Sequence, residues 1–148
     1  MDFIIPKPLK VEHDELHVQL AKATKESGEI GEAAKKVAKV LHNHFVKEEE
    51  FATPPLGLLV EIAKGNITEE MKSVLDLTDK LKAELPQILE EHRLIKEALQ
   101  NLIFVASKEN KLEYVDFANK LILHAETEEE VFYPSAILIG EYLKQKFQ

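Results

Sequence analysis

One segment occurs twice in this chain, and it limits what the chain can fold into more than any other feature. His44-Phe45-Val46-Lys47-Glu48-Glu49-Glu50-Phe51-Ala52-Thr53-Pro54 is matched eighty positions later by His124-Ala125-Glu126-Thr127-Glu128-Glu129-Glu130-Val131-Phe132-Tyr133-Pro134. In each copy a histidine precedes the first of three glutamates by four residues and a proline by ten. Four residues advance a helix by about 400°, so the imidazole and the carboxylate stand one turn apart on nearly the same face. Such a pair suits a metal ion if the rest of that face supplies further donors.

The surrounding periodicity supplies them. A first helix is expected from Leu9 to about Ser27, stopped by Gly28, with the stripe Leu9, His13, Leu16, Leu20 and Ala23. A second, from about Ile30 to Phe51, carries Val37, Leu41, His44, Glu48 and Phe51 and must end near Pro54. A third, from about Pro86 to Ser107, carries Ile88, His92, Ile95, Leu99 and Leu102. A polar turn at Lys108–Lys111 leads to a fourth, about Leu112 to Val131, with Phe117, Leu121, His124, Glu128 and Val131. The first helix maps on the third at an offset of 79 (His13 on His92), and the second on the fourth at 80 (His44 on His124, Glu48 on Glu128). Two such hairpins predict an all-α, four-helix bundle with a pseudo-two-fold axis, at which four histidines and two glutamates converge.

The rest of the chain fits around this repeat within one expected domain, residues 1–148. Residues 1–8, with Pro6 and Pro8, read as an extended arm whose Phe3, Ile4 and Ile5 cover apolar surface. Residues 55–84 read as an insertion. It holds a short helix from Leu56 to Ala63, closed by Lys64-Gly65-Asn66, then a helical start behind a Thr68 cap that Pro86 interrupts or restarts. After Pro134 a short final helix, with Ile137, Leu138, Ile139, Tyr142 and Leu143, is placed to close the open side of the bundle.

Composition removes several classes of function. With no cysteine, disulfides, thiol catalysis and cysteine-ligated metal centres are excluded. A net charge of −8 with Arg93 as the one arginine argues against nucleic acid as a partner. No apolar run approaches the ~20 residues of a membrane span. The acidic, short start is unlike a signal peptide, so a cytoplasmic location is expected.

A buried stripe should be apolar, because an unpaired ionised carboxylate in a core costs several kcal/mol or is neutralised. Each of the four helices nevertheless carries histidine at the middle of its stripe, and two carry glutamate as well. Cations at the centre account for this most simply. Four imidazoles and two carboxylates are too nitrogen-rich for calcium or magnesium and too many for one tetrahedral zinc. They suit two octahedral first-row ions, each hairpin giving two histidines and each glutamate bridging. Iron is the usual occupant, with manganese or zinc as possible substitutes. Glu12, Glu91, Glu49 and Glu129 are either carboxylates that orient the imidazoles or plain surface. His42 faces away from His44, and Tyr114 and Tyr133 are expected to pack in the core or at its rim, with hydrogen bonding near the site as the alternative for both. A metal-free interaction bundle, its polar stripe lining a wet channel, is the competing reading.

Glu12-His13, His44-x-x-x-Glu48, Glu91-His92 and His124-x-x-x-Glu128 together resemble, in order and spacing, the hemerythrin-like proteins or HHE cation-binding domains, over roughly residues 9–135. The resemblance implies a non-haem di-iron centre with two bridging glutamates and a position open to dioxygen, peroxide or nitric oxide. It implies reversible dioxygen binding for carriage, storage or sensing, or alternatively a di-iron oxidoreductase acting on peroxide or nitric oxide. Relatives linked to iron–sulfur cluster repair carry a cysteine-bearing segment that has no counterpart here. Respiratory members have a fifth histidine on the third helix where this chain has Lys96; His17, one turn after His13, stands at the pseudo-symmetric place and is the expected substitute. The expected metal ligands are therefore His13, His17, His44, Glu48, His92, His124 and Glu128.

Overall fold

The computed structural model describes residues 3–148, and every element among them is helical. Four long helices make the bundle: α1 (Lys7–Thr24), α2 (Glu29–Lys47), α4 (Leu75–Lys108) and α5 (Leu112–Thr127). A short α3 (Leu59–Ala63) lies between α2 and α4, and α6 (Tyr133–Lys146) follows α5. Met1 and Asp2 of the expected arm lie outside the described residues. Pro6 and Pro8 sit at the start of α1, where a missing N–H is harmless, so the helix begins earlier than Leu9. Phe3 packs on the core as expected, but Ile4 is exposed. The first helix ends at Thr24, and Gly28, at φ 75°, serves instead as the start of α2.

The repeat has a common device that its periodicity does not announce. Immediately after α2 and α5 the helix widens into a single π turn, Glu48–Ala52 and Glu128–Phe132. The Thr53 amide donates to the Glu48 carbonyl at 2.9 Å, five residues back, and the Tyr133 amide does the same to Glu128. Pro54 and Pro134 follow directly. A proline removes the next ladder donor and crowds the carbonyl of the preceding turn, and a widened turn relieves both. The double proline Pro54-Pro55 then diverts the first copy into a 3₁₀ turn, Pro54–Leu58. The single Pro134 lets the second copy resume as α6, so the expected separate final helix is a continuation of α5.

The extra residue rotates everything after it by about 100° relative to an α-helical projection. For that reason Val131, expected on the buried stripe, is half exposed, and Tyr133, five residues after Glu128, is fully buried in its place.

The third helix does not start at Pro86 either. It begins at Leu75 and runs 34 residues with Pro86 inside it. Interior proline costs ~3 kcal/mol, and tertiary packing offsets it here. The first half of α4 buries Leu81 and Ile88 against Phe51, Ala52, Tyr133, Ala136, Ile139 and Leu143. Gly140 lets α6 approach this half closely, since a Cβ there would meet Thr78 Oγ1 at 2.2 Å. Residues 55–84 are thus half of a second core rather than a loose insertion, and a 3₁₀ turn (Glu69–Val74) stands where the Thr68-capped helix was expected. The first core, built on Leu20, Val37, Leu41, Leu99, Leu102, Phe117 and Leu121, lies at the other end of the bundle. The histidine and glutamate positions fall between the two.

Candidate metal centre

His13, His44, His92, His124, Glu48 and Glu128 are all buried, each no more than 5% exposed. They form two groups whose ligating atoms lie within 4.8 Å of one another: His13 and His124 with both glutamates, and His44 and His92 with the same two glutamates. The imidazoles therefore pair between hairpins, α1 with α5 and α2 with α4, rather than within each hairpin as expected. A stripe tells which face of a helix is buried but not which neighbour it meets, and the shortest approaches are between hairpins. The Nε2 atoms are 3.1 Å apart in the first pair and 2.8 Å apart in the second.

The glutamates divide their oxygens between the pairs. Glu48 turns Oε1 to His44 at 3.0 Å and Oε2 to His13 at 3.4 Å. Glu128 turns Oε1 to His92 at 3.3 Å and Oε2 to His124 at 3.2 Å. Both Oε2 atoms are buried without a hydrogen-bond partner. A buried carboxylate oxygen left unpaired costs a few kcal/mol, and a cation is what would satisfy it.

The outer nitrogens point the same way. His44 Nδ1 faces Glu91 at 3.2 Å, His92 Nδ1 faces Glu129 at 2.9 Å, and His124 Nδ1 faces Glu12. An imidazole that donates Nδ1–H to a carboxylate directs its bare Nε2 lone pair to the other side, here into the cluster, which is the tautomer a metal ligand requires. The carboxylates are themselves braced, Glu91 by Lys47 at 2.7 Å and Glu129 by Lys96 at 3.2 Å. Of the two roles open to Glu12, Glu91 and Glu129, orienting imidazoles is the one they adopt. Glu49, the repeat partner of Glu129, instead pairs with Lys10 at 3.4 Å.

The electrostatics record a cluster that holds protons. Burial and the adjacent Glu128 carboxylate raise Glu48 to about 7. Burial would raise Glu128 too, but Glu48 and the imidazoles of His124, His13 and His92 hold it well below the usual carboxylate range. Burial alone would lower His124, yet Glu128, Glu48 and Glu12 raise it to about 9. His44 is raised against the same penalty by Glu48, Glu128 and Glu91.

His17 is the one expected ligand that belongs to neither group. It is exposed, and its ring lies over Phe45 at 4.2 Å between centroids. Tyr133 takes the alternative role, at the site, although the periodicity gives it no place on the buried stripe. Its hydroxyl donates to Glu48 Oε1 at 2.7 Å and lies 3.2 Å from Nε2 of both His44 and His92. Tyr114 is at the far end, bonded to Glu26 at 2.6 Å. A cavity of about 250 Å³ between α1 and α5 is lined by Leu16, Gln19, Leu123, Phe132, Glu12 and His124, and Tyr133 is not part of its wall. Among the described residues no helix is long and apolar enough to cross a membrane. Compared with protein-family models, curated proteins and solved structures, the chain matches none of them.

Proposed function

We propose that this chain holds two iron ions side by side and binds dioxygen reversibly, for carriage, storage or sensing. The observation that carries the reading is the division of each glutamate between the two histidine pairs. A carboxylate whose oxygens face two nitrogen pairs is disposed to bridge two ions, and two such carboxylates in one buried layer have little other use. His13 and His124 would hold one ion, His44 and His92 the other, with Glu48 and Glu128 shared. The ligand set and its order along the chain resemble those of hemerythrin-like proteins, which supports iron over manganese or zinc.

When bound, a ferrous pair supplies the two electrons that dioxygen accepts. The protein's own residues keep water away from that exchange. The apolar layers on either side of the cluster, and the aromatic rings of Phe45 and Phe132 beside it, restrict solvent. Glu12, Glu91 and Glu129 fix the imidazoles so that no reorientation accompanies binding. The cleft beside His124 offers a small ligand a way in.

A second reading, reduction of peroxide or nitric oxide at the same site, is favoured by the position of His17. Without that imidazole the first ion would keep an extra open place, which favours chemistry over pure carriage. Metal analysis of protein from its native host, followed by optical spectra of the iron-loaded protein, separates the readings. An absorption that appears in air and bleaches under argon supports carriage. Prompt decay with peroxide consumed over many turnovers supports catalysis, and protein without iron overturns both.

A further inference from the structure

We infer that the Tyr133 oxygen is itself a ligand of the ion at the His44–His92 position, which makes the two positions chemically unequal. The inference rests on the reading of the buried cluster as a metal centre. An octahedral ion with ~2.1 Å bonds has neighbouring ligands about 3.0 Å apart. The five atoms gathered here show that separation along every edge recorded between them. His44 Nε2 is 2.8 Å from His92 Nε2 and 3.0 Å from Glu48 Oε1. The Tyr133 oxygen is 2.7 Å from Glu48 Oε1 and 3.2 Å from each Nε2, and Glu128 Oε1 is 3.3 Å from His92 Nε2.

Hydrogen bonding alone serves this group poorly. Tyr133 has one proton to give and three acceptors around it. With Glu91 and Glu129 facing the Nδ1 atoms of His44 and His92, each ring in its metal-binding tautomer presents a bare Nε2 lone pair to the same oxygen. A cation among these atoms satisfies all of them together.

The other half of the repeat shows that the feature is specific to this one. Thr53 occupies the position equivalent to Tyr133, five residues after its glutamate. Its hydroxyl donates to the Glu48 carbonyl at 2.8 Å and not into the cluster. The His13–His124 pair therefore has only the two shared glutamates for company, and the α1–α5 cleft opens beside His124. The side with more ligands is the one closed by Tyr133, with five donor atoms; the side left for an incoming ligand is the one beside the cleft. Ligation breaks the Tyr133 O–H bond and forms an O–metal bond, and the proton leaves to solvent.

Ferric iron bound to a phenolate gives a visible charge-transfer absorption, with tyrosine ring modes enhanced in resonance Raman spectra. The test is to load the whole chain with ferric iron alone and measure iron content and spectra together. The expected result is two irons per chain with the phenolate absorption, and loss of that absorption in Tyr133→Phe at retained iron content. Because Tyr133→Phe removes a buried hydroxyl and risks misfolding, the double variant Tyr114→Phe/Tyr142→Phe is measured as well. It leaves Tyr133 as the single tyrosine of the chain's three, so persistence of the absorption there assigns it to Tyr133. Two bound irons without the absorption overturn this inference while leaving the metal centre standing. Absence of bound iron overturns both.

Discussion

Glu48 and His124 show how protons and metal ions compete for the same atoms. With Glu48 at about 7 and His124 at about 9, the metal-free cluster carries protons at neutral pH that ligation must expel. A group is protonated below its pKa, a ligand must be deprotonated, and so metal affinity rises with pH until the last proton is gone. In Tyr133→Phe, where ligation releases no phenol proton, the His124 proton dominates above about pH 7 and each pH unit is expected to raise affinity about tenfold. Below that Glu48 adds a second proton and the slope steepens; above about pH 9 it levels. Calorimetric titrations with one divalent metal, repeated in buffers of different ionisation heat, count the released protons. A flat profile from about pH 6 to 9 is the outcome that contradicts the assignment. Glu48→Gln should lower affinity overall and abolish the steeper limb, because its amide takes up no proton.

At the scale of elements, what was legible was whatever followed one period. The stripes of α1, α2 and α5 placed five of six cluster residues on the right faces, and the third-helix stripe placed His92 even though its helix starts eleven residues early. What was not legible came from events that reset the period or overrode a local rule. The π turns move Tyr133 inward and Val131 outward, and nothing in an α-helical projection through Glu128 foretells that. The only local hint was a proline six residues after each glutamate. Pro86 fails as a helix boundary because packing beneath it outweighs a local cost of ~3 kcal/mol. The seating of Tyr133 depends on that packing, and chiefly on the close contact of α6 with α4. Gly140→Val adds a branched side chain where a Cβ already meets Thr78 Oγ1 at 2.2 Å. It should lower stability by about 1–3 kcal/mol, despite better helix propensity, as read from chemical denaturation. An unchanged midpoint would mean that α6 does not press on α4 as described.

For the molecule as a whole, the cluster is a polar layer between two apolar cores, and that placement couples ligation to folding. Ions bound to the folded chain alone stabilise it by about 2.7 kcal/mol per site when free metal is a hundredfold above Kd. Chelation should accordingly lower the melting temperature by several degrees, and His44→Ala or Glu128→Ala should remove most of that difference. A metal-free interaction bundle would melt at the same temperature with and without chelator. The same layering leaves one side of the cluster approachable. The second core and Tyr133 cover the His44–His92 pair, while the cavity between α1 and α5 reaches His124. Leu123 stands at the mouth of that cavity, 63% exposed, so enlarging it should not disturb either core. In the iron-loaded protein, Leu123→Trp should slow azide binding roughly tenfold, the effect of ~1.4 kcal/mol on a barrier, with iron content and melting temperature unchanged. Stopped-flow absorbance with azide as the probe measures this. If small ligands instead crossed the bundle by way of Tyr133, the rate would be insensitive to Leu123→Trp, and the geometry of access argued from the α1–α5 cleft would be wrong.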